Sequence, residues 1–474
     1  MDKGNTKPAG TLVDRRRFLE FAGAGGAALI LSRSSKASGA APRVNTKLPN
    51  FVIIFTDDQG YNDLGCYGSP TIKTPHLDKM AAEGLKFTDF YVAASVCTPS
   101  RAALMTGCYP RRVSLPHVLF PNTRIGINPD EITIAEILKG QGYATMCIGK
   151  WHLGHLPPFL PTRHGFAHYF GLPYSNDMRP ETNPRRYPPL PLIRDENIIE
   201  ENPDQSRLTE RYTDEAIRFI SENKGRPFFL YMAHYAVHTP IMAKEDIIDK
   251  YKAKPSTPEH NNATYAAMIQ SMDEAVGRVM DKLEELNIAD HTIVVFMSDN
   301  GGLLGKTNNT PLRGGKAQAY EGGIREPMII KWPGIAKAGS VCSEPVISTD
   351  FYPTILEIVN IAPKHQQHID GISLAPLLRQ RGPLNRDAIY WHYPHYHPQN
   401  PYGPFGAIRK GHWKLIEYYE DMNVELYNLK DDLSEQTDLA QSEPAKRDEL
   451  GNLLKAWRQS VNAQMPTPNP NYTS

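Results

Sequence analysis

From Asn50 onward the chain alternates short apolar runs with longer stretches in which apolar residues recur at helical spacing. Phe51 to Thr56 is a continuous β-branched and aromatic run, and Thr145 to Ile148, Phe228 to Met232 and Thr292 to Met297 are three more. A strand that is apolar on both faces has no solvent side, which predicts a parallel sheet covered by helices on both faces. Between the last two runs, Tyr265, Met268, Met272, Val276, Val279, Leu283 and Leu286 form one stripe of an amphipathic helix. The predicted fold class is α/β, a large central mostly parallel sheet flanked by helices.

Past Pro383 the pattern changes. Ala388 to His392, Gly406 to Arg409, Trp413 to Tyr418 and Glu425 to Leu429 read as short strands separated by turns, a smaller antiparallel sheet, followed by a helix from about Glu443 to Val461. Tyr174 to Pro203, dense in Pro, Arg and Asn, reads as a long loop at the rim of a pocket. At the other end, Arg15-Arg16-Arg17-Phe18-Leu19 precedes a Gly/Ala-rich apolar run from Phe21 to Leu31 and small residues around Ser38-Gly39-Ala40. This pattern predicts a twin-arginine signal peptide cleaved near Ala40 or Ala41. The run is too short and too glycine-rich for a membrane span, and no cysteine stands where a lipid anchor would attach. The expected organisation is signal peptide and linker over 1–41, a catalytic domain over 42–382 and a C-terminal subdomain over 383–474.

Composition narrows the function. With 52 Lys+Arg against 52 Asp+Glu the formal charge is zero, so neither a general nucleic-acid binder nor a stable membrane-surface protein is expected, and any anion preference must be local. The 40 prolines and 35 glycines imply many ordered loops, the material from which enzymes build sites. Five cysteines, Cys66, Cys97, Cys108, Cys147 and Cys342, are too few for a disulfide scaffold, and the sequence leaves open whether any of them pair.

One cysteine stands apart. In Cys97-Thr98-Pro99-Ser100-Arg101, continued to Gly107, Pro99 suits the first turn of a helix and Gly107 its exit. Cys97 is then at a helix N-terminus, where unpaired N–H groups favour an anion, with the charge of Arg101 one turn in. Ligands of open α/β sheets bind beyond the carboxyl ends of the strands. After the first apolar run come Asp57 and Asp58, and after the fourth come Asp299 and Asn300. Three carboxylates and an amide gathered there call for a hard cation, calcium or magnesium rather than zinc. After the second run comes Gly149-Lys150-Trp151-His152, after the third His234 to Pro240, and further on Arg313 to Pro327 with Lys316.

In wording and order these five segments, spread from Asp57 to Pro327, resemble the type I sulfatases, on the branch of arylsulfatase A and N-acetylgalactosamine-6-sulfatase. The resemblance implies the alkaline phosphatase-like fold. It also implies that Cys97 is oxidised to formylglycine by a formylglycine-generating or sulfatase-maturing enzyme that reads Cys-x-Pro-x-Arg. Because the twin-arginine machinery exports folded protein, that step precedes export to the periplasm or the medium. Carried over residue by residue, Asp57, Asp58, Asp299, Asn300 and the modified Cys97 become the calcium ligands. Arg101, Lys150, His152, His238 and Lys316 surround the nucleophile and the sulfate. One hydroxyl of the hydrated aldehyde attacks sulfur with Asp299 as base, His238 or Lys316 protonates the leaving oxygen, and His152 then deprotonates the second hydroxyl to expel sulfate. Cys108 departs from the family, which usually has a basic residue there.

The substrate must be read from the rim. His392 and His395 in the ring-rich stretch Trp391 to His397, with Lys150, His238 and Lys316 and the arginines Arg179, Arg185 and Arg186, are the expected substrate contacts, favouring a sulfated saccharide. Two other readings stay open: a phosphonate or phosphodiester hydrolase of the same superfamily, and an exported glycan-binding protein in which Cys97 remains a thiol.

Overall fold

The computed structural model describes residues 48–253, 262–362, 370–467 and 469. The expected signal peptide lies outside them. Fifteen strands are present among the described residues. They are β1 Asn50–Thr56, β2 Leu85–Tyr91, β3 Ala144–Gly149, β4 His168–Gly171, β5 Pro191–Arg194, β6 Asn197–Glu201, β7 Phe228–Ala233, β8 Thr292–Ser298, β9 Arg325–Lys331, β10 Ser340–Cys342, β11 Val346–Ile347, β12 Ile389–Tyr393, β13 Phe405–Lys410, β14 Trp413–Tyr418 and β15 Val424–Asn428.

Eleven of them form one sheet in the order β10-β2-β9-β8-β1-β7-β3-β4-β5-β6, with β11 also on β2. The four apolar runs become β1, β3, β7 and β8, adjacent and parallel, with Ile53 opposite Tyr231 on one side and Val295 on the other. Alternation along β1 splits its residues between two cores. Phe51, Ile53 and Phe55 pack with the helices Cys97–Thr106, Ile134–Gly140 and Phe351–Ile358, and Val52 and Ile54 pack with Leu208–Asn223 and Ala263–Glu285 on the opposite face. The predicted stripe of the long helix is the buried one from Tyr265 to Leu283. Both faces of these four central strands are therefore dry, as their composition requires.

The sheet is mixed where the sequence carried no such signal. β9 runs antiparallel between β8 and β2. The stretch Tyr174 to Pro203, expected to be a loop throughout, contains the β5–β6 hairpin, whose outer strand is mostly exposed and so lacks a run of buried apolar residues. The smaller sheet has the order β12-β13-β14-β15, antiparallel throughout, each strand within a residue or so of its expected limits. One face packs on the helix Pro444–Ser460 through Ile408, Leu415, Leu426, Leu450 and Leu454. The other packs through Trp391, Phe405, Ile416 and Tyr427 on Ala317, Ala319, Tyr320 and Ile324 of the main body. None of the five cysteines, all among the described residues, forms a disulfide. Among the described residues no helix is long and apolar enough to cross a membrane.

A buried ion cluster fastens this seam. Lys414 of β14 lies 2.9 Å from Glu321 and 2.8 Å from Glu435, all three fully removed from water. Tyr91 and Arg325 also bond Glu321, and Asp89 joins Arg325 to Arg409 at 2.8 Å each. Removing one member of such a set strands the others. Lys414→Met is expected to destabilise the fold by about 3 kcal/mol or more, read by urea denaturation, and Lys414→Met with Glu435→Leu to recover part of the loss. A single-variant loss below about 1 kcal/mol would show the cluster to be dispensable.

Candidate active site

The carboxyl ends of β1, β3, β7 and β8 lie side by side, and backbone bonds carry the ladder past them: Asp299 N–H to the Thr56 carbonyl, Asp57 N–H to Ala236 and Lys150 N–H to Ala233. Strand register alone therefore brings Asp57 and Asp58 beside Asp299 and Asn300, with Lys150 and His238 on the flanking turns. Asp58 sits at φ 57° and His152 at φ 59°, left-handed positions that turn these side chains at the strand ends.

The helix Cys97–Thr106 supplies the centre. It is buried along its whole length, Val96 gives it no side-chain cap, and Gly107 closes it at φ 72° with its N–H on the Ala103 carbonyl. Its first turn is anchored to the other segments. The Thr98 hydroxyl donates to the His152 carbonyl at 3.0 Å and accepts from the Leu119 N–H, and Ala317 N–H bonds the Ser95 carbonyl. Position 97 is thereby tied to both the His152 turn and the Lys316 loop.

Beneath Cys97 lies a compensated charge network. Lys150 Nζ donates to Asp57 Oδ2 at 2.5 Å and to the Ser175 hydroxyl at 3.1 Å. Arg101 bridges Asp299 at 2.7 Å and the Lys150 carbonyl at 3.0 Å, with Asp57 at 3.6 Å. Asp58 accepts from Lys316 at 2.8 Å and from the Asn300 amide at 2.8 Å, and His238 Nε2 lies 3.5 Å away. Burial pushes the Asp57 carboxyl up, but Lys150, His238, Arg101 and Lys316 together hold it well below the ordinary range. Burial and then Asp57 push the Asp299 carboxyl up. Burial works against the Lys316 ammonium, yet Asp58 keeps it firmly protonated. The Cys97 thiol is pushed up by burial, so as a plain cysteine it stays protonated and weakly nucleophilic.

His152 is pushed far down by burial and then by Lys150, so it is neutral. Its Nε2 faces the Leu119 carbonyl at 2.9 Å, which fixes the proton there and leaves a lone pair on Nδ1, an atom with no partner. That is the state a general base requires.

Cys97, His152, His238 and Lys316 reach a cleft of about 600 Å³, whereas Asp57, Asp58, Asp299, Asn300, Arg101 and Lys150 lie beneath its surface. Arg101 and Lys150, both expected around the nucleophile and the sulfate, are fully buried beneath Cys97, with Arg101 on Asp299 and Asp57 and Lys150 on Asp57. Among the described residues, Asp57, Asp58 and His238 form a buried group whose side-chain atoms lie close enough to share a metal ion, and the other expected oxygen donors stand beside it, Asn300 bonded to Asp58 and Asp299 bonded to Arg101 and to the Asp58 N–H. Asp57 Oδ1 and Asn300 Oδ1 are buried with no partner, which is the signature of donors that fit a hard cation.

On the rim, His395 lines the cleft but His392 does not. Alternation along β12 points Trp391 and Tyr393 to the core side, and His392 meets the Tyr419 hydroxyl at 2.7 Å and the Gln464 carbonyl at 3.0 Å instead. Of the three arginines, Arg186 lines the cleft and Arg179 and Arg185 do not. Ser175 and Asp177 were missed, although they follow β4 as the other site residues follow their strands; four residues are too short a run to have announced that strand. His117 and Phe120 come from irregular chain with no periodic signal.

Comparison with known proteins places this geometry. The family model described as Sulfatase matches residues 49–361, and that described as N-sulphoglucosamine sulphohydrolase, C-terminal, matches 315–460. Arylsulfatase A of Homo sapiens is 38% identical over 389 residues, 77% of this chain and 74% of that protein. N-acetylgalactosamine-6-sulfatase of Homo sapiens is 36% identical over 372 residues, 72% of this chain and 68% of that protein. The crystal structure of Ps i-CgsB in complex with k-i-k-neocarrahexaose aligns with a TM-score of 0.79 at 32% identity, covering 89% of this chain and 94% of that one.

Beside the site, His234 is fully buried with neither ring nitrogen partnered, and burial pushes it down to about 4. The unfolded chain takes up this proton near pH 6.5, about the free imidazole value, and the folded chain refuses it until about 4. The contribution is therefore whole above pH ~6.5 and lost on acidification toward pH ~4, at most roughly 3 kcal/mol. Denaturant unfolding at pH 7 and 4.5 is expected to show a smaller acid loss in His234→Gln than in the unaltered protein; equal losses would mean His234 titrates normally.

Proposed function

This chain belongs to the sulfatase family, and from that premise we propose that it cleaves sulfate esters of a saccharide with a nucleophile made from Cys97 above a bound calcium. Sulfatases are sulfuric ester hydrolases, and that activity follows from membership. The observation that carries the finer reading is the convergence on position 97, at an uncapped helix N-terminus, of Lys316, His238 and a neutral His152 from three distant segments. A site that only bound sulfate would have no use for a neutral base with a bare Nδ1.

Oxidation of Cys97 by a sulfatase-maturing enzyme supplies an aldehyde, whose hydrate offers one hydroxyl to attack sulfur, its proton passing to Asp299 as the ester oxygen leaves, and a second whose deprotonation releases sulfate. Asp57, Asp58, Asp299, Asn300 and the modified Cys97 would hold calcium, with magnesium the second candidate and His238 close enough to join them. When bound, that ion adds positive charge to a floor whose three carboxylates and three cations otherwise cancel, and so draws in the sulfate anion. Lys150 and Lys316 offset charge on the transferring group. Either Lys316 or His238, both directed at Asp58, gives the leaving oxygen its proton, and His152 Nδ1 takes the proton from the second hydroxyl. The substrate is a sulfated glycan, in keeping with the polar, ring-lined cleft and with a relative named for N-acetylgalactosamine-6-sulfatase activity. The twin-arginine pattern places the enzyme in the periplasm or outside the cell, exported after Cys97 is modified, and the boundary near 382 separates its catalytic and C-terminal parts.

Desulfation of a saccharide panel by natively produced protein is the primary test. Cys97→Ala is expected to lower turnover by on the order of 10³-fold or more, with peptide mass spectrometry of the active protein showing an aldehyde at position 97. An unmodified thiol in fully active protein, or phosphate esters cleaved faster than sulfate esters, would overturn the reading. For the ion, chelator-treated protein is expected to gain thermal stability when calcium is returned, about 2–3 kcal/mol at a hundredfold excess over its dissociation constant. Asn300→Ala should abolish that gain, and an undiminished gain would remove Asn300 from the ligand set.

A further inference from the structure

Arg186 holds a place on the cleft wall that the chemistry above leaves unused. It lies between β4 and β5, with its guanidinium carbon 4.5 Å over the Phe120 ring and 5.4 Å over Tyr187. Among the described residues no carboxylate pairs with it. The other lysine or arginine on the wall, Lys316, is already bonded to Asp58 at 2.8 Å. Three wall imidazoles add no charge at neutral pH, since burial pushes His395 and His397 down to about 4 and His117 below its usual value, and His238 faces Asp58 on the floor side at 3.5 Å. Asp177, the carboxylate on the wall, is under the influence of His238 and Lys150 and so belongs to the floor side.

The wall thus carries one uncommitted cation, and it is preorganised. Stacking on an aromatic face fixes the plane of a guanidinium while leaving its N–H edge available, and that edge matches the paired oxygens of a sulfate or carboxylate. A fixed fork loses little entropy on binding. A cleft of about 600 Å³ is far larger than one sulfate group needs. Resting on the sulfatase reading above, we propose that Arg186 is a specificity-determining residue that binds a second anionic group of the saccharide, a sulfate ester or a carboxylate, while the scissile sulfate lies at position 97. The natural substrate is then a saccharide with at least two negative charges.

The test uses the full-length matured protein and saccharides in three matched arms: one sulfate, two sulfates, and one sulfate with a uronic acid. The expected result is a kcat/KM at least about tenfold higher for one of the doubly charged arms, and which arm it is identifies the anion. Arg186→Ala should collapse that ratio toward one, mainly through KM, and Arg186→Lys, which keeps charge without the fork or the stack, should restore only part of it. The same arms are titrated by calorimetry into the Cys97→Ala variant, with and without Arg186→Ala. Equal kcat/KM and equal affinity across the arms in protein retaining Arg186, or a ratio that survives Arg186→Ala, would overturn the proposal. Absence of turnover in every arm together with an Arg186-dependent affinity ratio would instead sink the hydrolase reading and support the second-anion site.

Discussion

Three carboxylates and three cations are buried together under one cleft, and each is tolerable there only because the others are present. An unpaired ion at that depth costs several kcal/mol, so the network holds its members as strongly as any apolar contact does. It also dictates architecture. Asp57 and Asp58 must meet Asp299, which requires β1 and β8 to be parallel neighbours in register at Thr56 and Ser298, and Lys150 must reach Asp57 across β7. Arg101 comes from a helix on one face of the sheet, and its depth is set by a core that includes Ala102, Leu104 and Met105.

Floor and wall work in different electrical regimes. Below Cys97 the charges are desolvated and mutually neutralised, so that an arriving anion meets fixed dipoles and ammonium groups that need no reorganisation. On the wall His395 and His397 are neutral and the charge of Arg186 is exposed, with no carboxylate paired to it among the described residues. The first arrangement suits chemistry on a sulfate common to many substrates, and the second suits discrimination among their carriers.

The smaller sheet belongs to the site as much as to stability. Its inner face covers Ala317 to Ile324, immediately beyond Lys316, and the Lys414 cluster anchors Glu321 within that stretch. The segment following β12 contributes His395 and His397 to the same wall. Lys316 and the rim are therefore packed against the C-terminal strands, although they are remote in sequence.

Much of the floor was legible beforehand because two local signals coincide there: runs apolar on both faces mark buried parallel strands, and polar residues just past such runs stand at the edge where ligands bind. The chain by itself determined the α/β class, the strands bearing Asp57, Lys150, His238 and Asp299, and the helix that begins at Cys97. It did not determine that β9 would insert antiparallel, that β5 and β6 would pair within a proline-rich stretch, or that His392 would face Gln464 while His117, Phe120, Asp177 and Arg186 gather around the cleft. Periodicity records which side of one element leaves water. Which segments then confront each other across a cavity is settled by side-chain packing between elements far apart in the chain, and no local pattern encodes that.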